Sequence, residues 1–556
     1  MTESLRILIV GGVAGGASCA ARARRISESA EIIMFDRGPY VSFANCGLPY
    51  YVGDVIKKEE NLLIATPEMF RKRFNIDVRL HAEVLGIDRT KRCITVKNLE
   101  SGKTHIEPYD ALVLSPGARS IRPDLPGIDL PGIFSLRTIP DSRQIRTWID
   151  QYHADHVLVL GGGYIGMEMT DNLLKRGIKV TVVEKQSQVM PVVDPEMIAD
   201  VHTALIEKGV SLWLNDSVVR FDQGKGHTLG VTLASGQQIE ADMVILCIGV
   251  RPEIKLALGA GLAIGDHGGI EVDPQMRTSD LRIWAVGDAV EVHDVVTRTQ
   301  SVIPLAGPAN RQGRIAADAI LGRSHTFRGV QGTSVVGILD LVMAFTGPSE
   351  KLLRRLGQWD GLEKVYLYPG HSAGYYPGAN PISLKLIFDK RDGRVVGAQA
   401  LGKSGVEKRI DVIAMAIQLK ATVFDLEEAE LCYAPQFGTA KDPVNLAGMI
   451  AANVMRGDIT LAHWEDIHNT EALILDVRTP EEFRRDQVEG ALNMQLDEIR
   501  DRMHELPRDR EIWTYCFVGQ RSYYATRALT QYGFDVKNIS GGFKTFLLHE
   551  SGKYLG

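Results

Sequence analysis

Cysteine is scarce and scattered in this chain. The six cysteines, Cys19, Cys46, Cys93, Cys247, Cys432 and Cys516, include no CxxC pair, which excludes short-spaced zinc sites and a thioredoxin-like dithiol. No metal site is expected. No apolar run is long enough to span a bilayer, and a net charge of −6 leaves no basic footprint for nucleic acid. MTESLRILIVGG passes from a polar start straight into an apolar strand, without a basic region and a small-residue cleavage site. No secretory leader is therefore expected, and a cytoplasmic location is. In that reducing compartment most of the thiols should be buried and inert. Apolar residues, at 45%, are ample for the cores of roughly three to four domains.

Two segments carry most of the information. Leu5 to Val10 reads as a parallel strand, GGVAGG then opens a helix, and EIIMFD is a second strand ending at Asp36. Strand, glycine turn, helix, strand, acid is the order of a dinucleotide site. The N–H groups at the helix start meet a pyrophosphate, and the acid accepts from a ribose diol. Gly11, Gly12, Ala14, Gly15 and Gly16 form the turn, with Val13 where a strict GxGxxG has its middle glycine. The second copy, HVLVLGGGYIGMEMTDNLLKRGIKVTVVEK, has Gly161, Gly163 and Gly166 in strict spacing, Tyr164 and Ile165 opening its helix, and Glu184 closing its strand. YDALVLSPGARS, with Ser115 and Gly117, and LRIWAVGDAVE, with Gly287 and Asp288, are two more strands closing on glycine turns. Two dinucleotide sites in one chain point to a relay from a nicotinamide to a flavin.

Over about residues 1 to 450 these motifs resemble the two-dinucleotide-binding flavoprotein disulfide reductases. The resemblance implies that the first copy binds FAD and the second a nicotinamide, with Asp288 of AVGDA on the flavin's ribityl chain. It also assigns Arg37, Asn45, Val84, Gly249, Pro304, Ala306 and Gly307 to cofactor contacts. Glu184 is expected to hydrogen-bond the 2′-hydroxyl of NADH and to repel a 2′-phosphate. Lys185 beside it softens that preference, so NADH is expected, with NADPH the alternative.

SFANCGLPYY contains Cys46 alone: Ser42 stands four residues before it and Tyr50 four after. The paired cysteines of glutathione-reductase-type members are thus absent. A lone thiolate beside a flavin can cycle through a sulfenic acid or form a mixed disulfide, and both need a site that lowers the thiol pKa. SFxxCG occurs in the NADH peroxidases and oxidases and in the coenzyme A disulfide reductases. The peroxidase pattern has a histidine where Ala14 stands. GGVAGGASCA, SFANCGLPY, HSAGYYPG at 371–378 and CYAPQFGTAKDPVN at 432–445 are closely similar to the coenzyme A disulfide reductases.

That likeness implies a homodimer in which Cys46 is the nucleophile and Tyr375 and Tyr433 of the other subunit approach it. It places coenzyme A against Arg22, Ser42 and Asn45. Helix periodicity puts Arg22 and Arg25 on one face, suited to coenzyme A's phosphates. Gln436 replaces the second proline of the family's YAPP. An oxidase or peroxidase working through a Cys46 sulfenic acid, and a non-enzymatic flavin redox sensor, are the alternatives.

The last hundred residues resemble a rhodanese domain, by LDVR with a following EEF, by GALN, and by the cysteine that ends a strand before a helix in EIWTYCFVGQR. QVEGA replaces the usual GHIPGA. Backbone N–H groups of the CFVGQR loop, which includes Gly519, form an anion nest. The helix dipole and Arg521 are expected to lower the Cys516 pKa and hold a persulfide anion.

The expected fold is α/β: two Rossmann-like dinucleotide-binding domains, an α+β dimerisation domain and a C-terminal α/β rhodanese domain. The expected boundaries are FAD-binding 1–150 and 271–328, NAD-binding 151–270, dimerisation 329–455 and rhodanese 460–556. The expected activity is FAD-dependent, NADH-driven reduction of coenzyme A persulfide, coenzyme A disulfide or polysulfide, with the rhodanese domain handling sulfane sulfur. The expected partners are small-molecule sulfur substrates and coenzyme A, with neither nucleic acid nor membrane.

Overall fold

The computed structural model describes residues 4–551. The chain forms two compact units, one running up to Val183 and resuming over Asp216–Val330, the other made of Glu184–Asn215 and Gln331 onward.

The first unit holds two parallel sheets. In one, the strand order is Ile283–Ala285, Ala111–Leu114, Arg6–Val10, Glu31–Phe35, Asp77–Arg79. Leu8 stands between Ile33 and Leu112 in register, and all three are fully buried or nearly so. Such unbroken apolar strands belong to a sheet covered on both faces. The helix Ala14–Ile26 packs against Ala306–Ile320. In the other sheet, Ile133–Ser135, Met243–Leu246, His156–Leu160 and Lys179–Val183 pair in parallel. Two three-stranded antiparallel meanders, a mixed three-stranded sheet and a two-stranded antiparallel ribbon complete the unit.

Both glycine turns have the same construction. A Cβ on Gly16 would overlap the carbonyl oxygen of Gly11, and one on Gly166 would overlap that of Gly161. The third glycine of each turn therefore lets the helix close onto its strand. The middle position differs: a Cβ on Gly163 would meet no protein atom. That glycine is not required by the fold, which explains how Val13 occupies the equivalent place in the first turn.

The second unit joins an antiparallel sheet to a parallel one. The antiparallel sheet runs Ser334–Ile338, Leu341–Thr346, Val395–Gly402, Ile382–Asp389, Leu362–Leu367, with the helix Val406–Gln418 against it. The parallel sheet runs Leu461–Ala462, Val536–Ile539, Ile512–Tyr515, Leu473–Asp476, Leu492–Asn493. Its helices include Gln520–Gln531 and Gly542–Ser551, and the latter packs on Pro195–Glu207. The expected α/β architecture is the one observed.

Charge is buried in this unit. The Lys385 ammonium, 1% exposed, lies 2.8 Å from Asp194, 2.7 Å from Glu196 and 2.7 Å from Glu350. Those carboxylates cluster within 4.8 Å, as metal ligands do, but the lysine fills the place of a cation. Lys364 bridges Glu350 at 2.8 Å and Glu465 at 2.5 Å. The Tyr366 hydroxyl donates to Glu196 at 2.7 Å, and the Tyr366 backbone N–H to Ser540 Oγ at 3.1 Å. Glu465 and Ser540 thus tie the parallel sheet to the outermost strand of the antiparallel one. No helix among the described residues is long and apolar enough to cross a membrane.

Candidate active sites

Cys46 sits in a single 3-10 turn, Asn45–Gly47, followed by the short helix Leu48–Val52. The segment is anchored to the first glycine turn, because Ser42, in a left-handed conformation at φ 48°, donates its N–H to Gly12 O at 2.8 Å. Its carbonyl accepts from Ile64 N at 2.9 Å. Cys46 is exposed, whereas Cys19, Cys93, Cys247 and Cys516 are buried, so the expectation that most thiols are buried holds. No disulfide forms among the described residues.

The electrostatics around Cys46 run opposite to the expectation. The surrounding protein desolvates the thiol and, with the carboxylates of Glu168 and Asp288, pushes its pKa up; Arg137 pulls it down. That cation is itself paired with Asp288 at 2.9 Å. Glu168 projects from the second glycine-turn helix and accepts from the Tyr50 hydroxyl at 3.3 Å. The chain's own groups therefore favour the thiol form, and the expected lowering is corrected. Glu168, Tyr50 and Arg137 escaped the sequence reading. Glu168 carried a faint signal as the acid two places after Gly166; Arg137 carried none.

The residues present fit a dinucleotide in both turns. The glycine cradles leave backbone close to the helix starts, and Asn45 Oδ1 is buried with no hydrogen-bond partner from the protein. Asp36 accepts from Gly12 N at 2.9 Å and Gly38 N at 2.8 Å, while burial pushes its pKa up. Arg37 beside it is exposed. Ser115 N donates to Val10 O at 2.8 Å, and Gly117, Gly249 and Gly287 have φ of 71°, 101° and 84°. Gly287 N donates to Gln312 Oε1 at 2.7 Å. Pro304, Ala306 and Gly307 are exposed where the helix Ala306–Ile320 begins. Val84 packs its side chain into the core opposite Val96. Tyr164 and Ile165 are half-buried at the second helix start. Glu184 directly follows the strand Lys179–Val183, and its Oε1 accepts from Gln186 N at 2.8 Å.

For coenzyme A the picture is mixed. Arg22, expected to face phosphates, instead pairs with Asp318 at 2.8 Å, which His325 also engages at 3.0 Å. Its Nε is held within the fold, whereas Arg25 is exposed.

In the second unit the Tyr375 and Tyr433 hydroxyls meet at 3.1 Å, and the two rings are 77% and 48% exposed. Their loops are joined by Ala373 N donating to Pro435 O at 3.1 Å. The buried Arg409 braces both, donating to His371 O at 2.9 Å and pairing with Asp442 at 2.9 Å. Gln436 is exposed.

Cys516 ends the strand Ile512–Tyr515, only 1% exposed. Gly519, at φ 93°, aims its N–H at the sulfur, 3.2 Å away, and Ser522 Oγ lies at 3.6 Å. The helix Gly542–Ser551 caps the loop from behind, with Phe543 N on Cys516 O at 2.7 Å and Lys544 N on Phe517 O at 2.8 Å. Arg521 was expected to serve the persulfide. It is held by Glu482 through two bonds of 2.7 Å, a pairing that keeps the Glu482 carboxyl down at about 2, and its side chain also interacts with Cys516.

Three family models match the chain: "Pyridine nucleotide-disulphide oxidoreductase" over residues 5–313, the dimerisation domain of the same family over 333–442, and "Rhodanese-like domain" over 462–549. The coenzyme A disulfide reductase of Staphylococcus haemolyticus is 34% identical over 450 residues, 81% of this chain and 100% of that protein. The crystal structure of reduced Bacillus anthracis CoADR-RHD is 48% identical, with a TM-score of 0.95 over 98% of each chain. The chain belongs to the pyridine nucleotide-disulphide oxidoreductases, in their coenzyme A disulfide reductase–rhodanese branch. A NAD-dependent persulfide reductase from A. fulgidus is 35% identical, with a TM-score of 0.89 over 98% of this chain and 100% of that one. As a pyridine nucleotide-disulphide oxidoreductase, the chain is a flavin-dependent reductase and draws its electrons from a reduced pyridine nucleotide.

Proposed function

We propose that the protein is a homodimer that uses NADH to reduce sulfur–sulfur bonds of coenzyme A persulfide, coenzyme A disulfide and polysulfide at Cys46, while Cys516 loads sulfane sulfur. The observation that carries this reading is the exposed Cys46 thiol on a segment tied by Ser42 to the first glycine turn, with no second cysteine four residues to either side. FAD, when bound, supplies the electron route from NADH to the Cys46–sulfur bond. Gly11 to Gly16 and Asp36 hold it, with Asn45 lending its buried oxygen. Gly161 to Gly166 and Glu184 hold the nicotinamide cofactor. Glu168, held by Tyr50, is placed to exchange a proton as the thiol of Cys46 is consumed and restored. Tyr375 and Tyr433 serve the second subunit's thiol in this reading, which their pairing and exposure support. Arg22, Ser42 and Asn45 remain the proposed coenzyme A contacts, with Arg22 Nε oriented by Asp318.

Steady-state assays with NADH and each acceptor, coenzyme A disulfide, coenzyme A persulfide, polysulfide, oxygen and peroxide, test the reading. Turnover with oxygen or peroxide alone overturns it in favour of an oxidase or peroxidase. Two variants sharpen it. Cys516→Ser should impair polysulfide reduction several-fold and leave coenzyme A disulfide reduction largely intact; equal loss on both would make Cys516 a structural residue. Glu184→Ala removes a charged acceptor, a loss of about 1.5–3 kcal/mol. The NADH-to-NADPH ratio of kcat/KM should fall about tenfold or more, and an unchanged ratio would remove Glu184 as the selector.

A further inference from the structure

The sulfur-loading loop is nearly neutral. Between Cys516 and Arg521 stand Phe517, Val518, Gly519 and Gln520, none of them charged. Each cation that the structure places against the loop already has a carboxylate. Arg521 is bound by Glu482 at both ends of its fork. Arg478 is bound by the fully buried Asp476 at 2.7 Å. Lys544 points toward Asp200 at 3.9 Å and over the Tyr368 ring at 4.7 Å. Apart from Arg521, whose charge Glu482 offsets while its side chain also interacts with Cys516, the sulfur is met by the Gly519 N–H and the Ser522 hydroxyl, both dipoles. At the mouth, Phe517 and Tyr524 are 42% and 49% exposed, so the rim is aromatic.

A dianion entering this loop loses water and meets no uncompensated positive charge, whereas a singly charged or neutral donor loses much less. We propose that Cys516 takes its sulfur from organic persulfides, with an uncharged arm lying on Phe517 and Tyr524, in preference to thiosulfate, and that Glu482 sets this choice by neutralising Arg521. The proposal rests on the reading of Cys516 as the sulfur acceptor. In the step, the Cys516 thiolate attacks the outer sulfur of R–S–SH. The R–S–S bond breaks, R–S⁻ leaves with the electron pair, and Cys516–S–SH forms. One S–S bond replaces another, with no net oxidation. Glu482 is a positioning residue, acting through Arg521.

Glu482 also closes a capping box with Thr479 at the start of the helix Pro480–Arg485. Glu482→Gln preserves that cap, since glutamine serves the same position, while it removes the charge. The full-length protein, without NADH, would be mixed with N-acetylcysteamine persulfide, whose arm is uncharged, or with thiosulfate, and persulfide on Cys516 followed by alkylation and mass spectrometry. Wild type should load at least about tenfold faster from the persulfide. Glu482→Gln should raise the thiosulfate-to-persulfide rate ratio about tenfold, the effect of one unscreened charge at contact range. Equal rates from both donors in wild type, or an unmoved ratio in the variant, overturn the proposal. Failure of both donors to load Cys516 overturns the underlying assignment as well, and the wild-type comparison stands even if the variant folds poorly.

Discussion

Cys46→Ser should abolish reduction of coenzyme A disulfide and coenzyme A persulfide, by at least roughly a thousandfold in kcat/KM, while the flavin is still bleached by NADH. The serine hydroxyl cannot form the mixed disulfide or accept the electrons that cleave it. In the proposed assignment both cofactors are held by the glycine turns, Asp36 and Glu184, none of which the change replaces. Stopped-flow absorbance with NADH alone, followed by steady-state assay with each sulfur substrate, separates the two half-reactions. Retained disulfide turnover would remove Cys46 from the chemistry. Loss of flavin reduction would mean that the segment 42–47 is needed to build the flavin site. Because Glu168 and Asp288 raise the thiol pKa, the uncomplexed enzyme should react slowly with a neutral alkylating reagent at pH 7. Its reactivity should rise with pH.

Lys385→Met should destabilise the second unit by about 3–5 kcal/mol at neutral pH, the usual cost of leaving buried charge without its partner. Asp194, Glu196 and Glu350 would then face one another with the remaining cations, Lys364 and Arg354, both on Glu350. The pH dependence should invert. In the wild type the lysines hold the carboxyls of Glu350 and Glu196 below their ordinary values, and Glu465 at about 2. The stability they contribute is complete above the ordinary carboxylate range and is lost as pH falls toward 2. In the variant, mutual repulsion raises the carboxyl pKa values. Its deficit is therefore largest above them and shrinks as protons bind on acidification. Thermal unfolding of both proteins at pH 7.5 and 5.5 decides this; a deficit equal at both values would place the cost in lost packing instead of charge.

The features legible in the sequence are those whose parts lie close together along it. Gly11 to Gly16 and Gly161 to Gly166 each complete a turn within six residues, so spacing alone revealed them. Cys516 and its loop were legible for the same reason. The neutralising partner was not. Glu482 shows itself in TPEE as a helix cap, and nothing in that pattern says that it also binds Arg521. Cys46 was legible as a lone thiol, but its pKa depends on Glu168 and Asp288, which the fold brings from other strand–helix units. Helix periodicity offered Arg22 and Arg25 as one face; it could not foresee that Asp318, on the helix packed against this one, engages Arg22 while Arg25 stays exposed. The buried lysine network left no trace in the sequence at all. SLKLIFD reads as a half-polar strand, although Lys385 is fully enclosed by carboxylates from distant segments.

The strand Leu362–Leu367 closes one side of its sheet, and an exposed sheet edge is a template on which foreign strands can add. Here Ser540 takes the N–H of Tyr366, and Glu465 covers the ammonium of Lys364. The sulfur-transfer domain thus doubles as an edge guard. With that edge covered, the strand Leu362–Leu367 is closed as a template for strand addition.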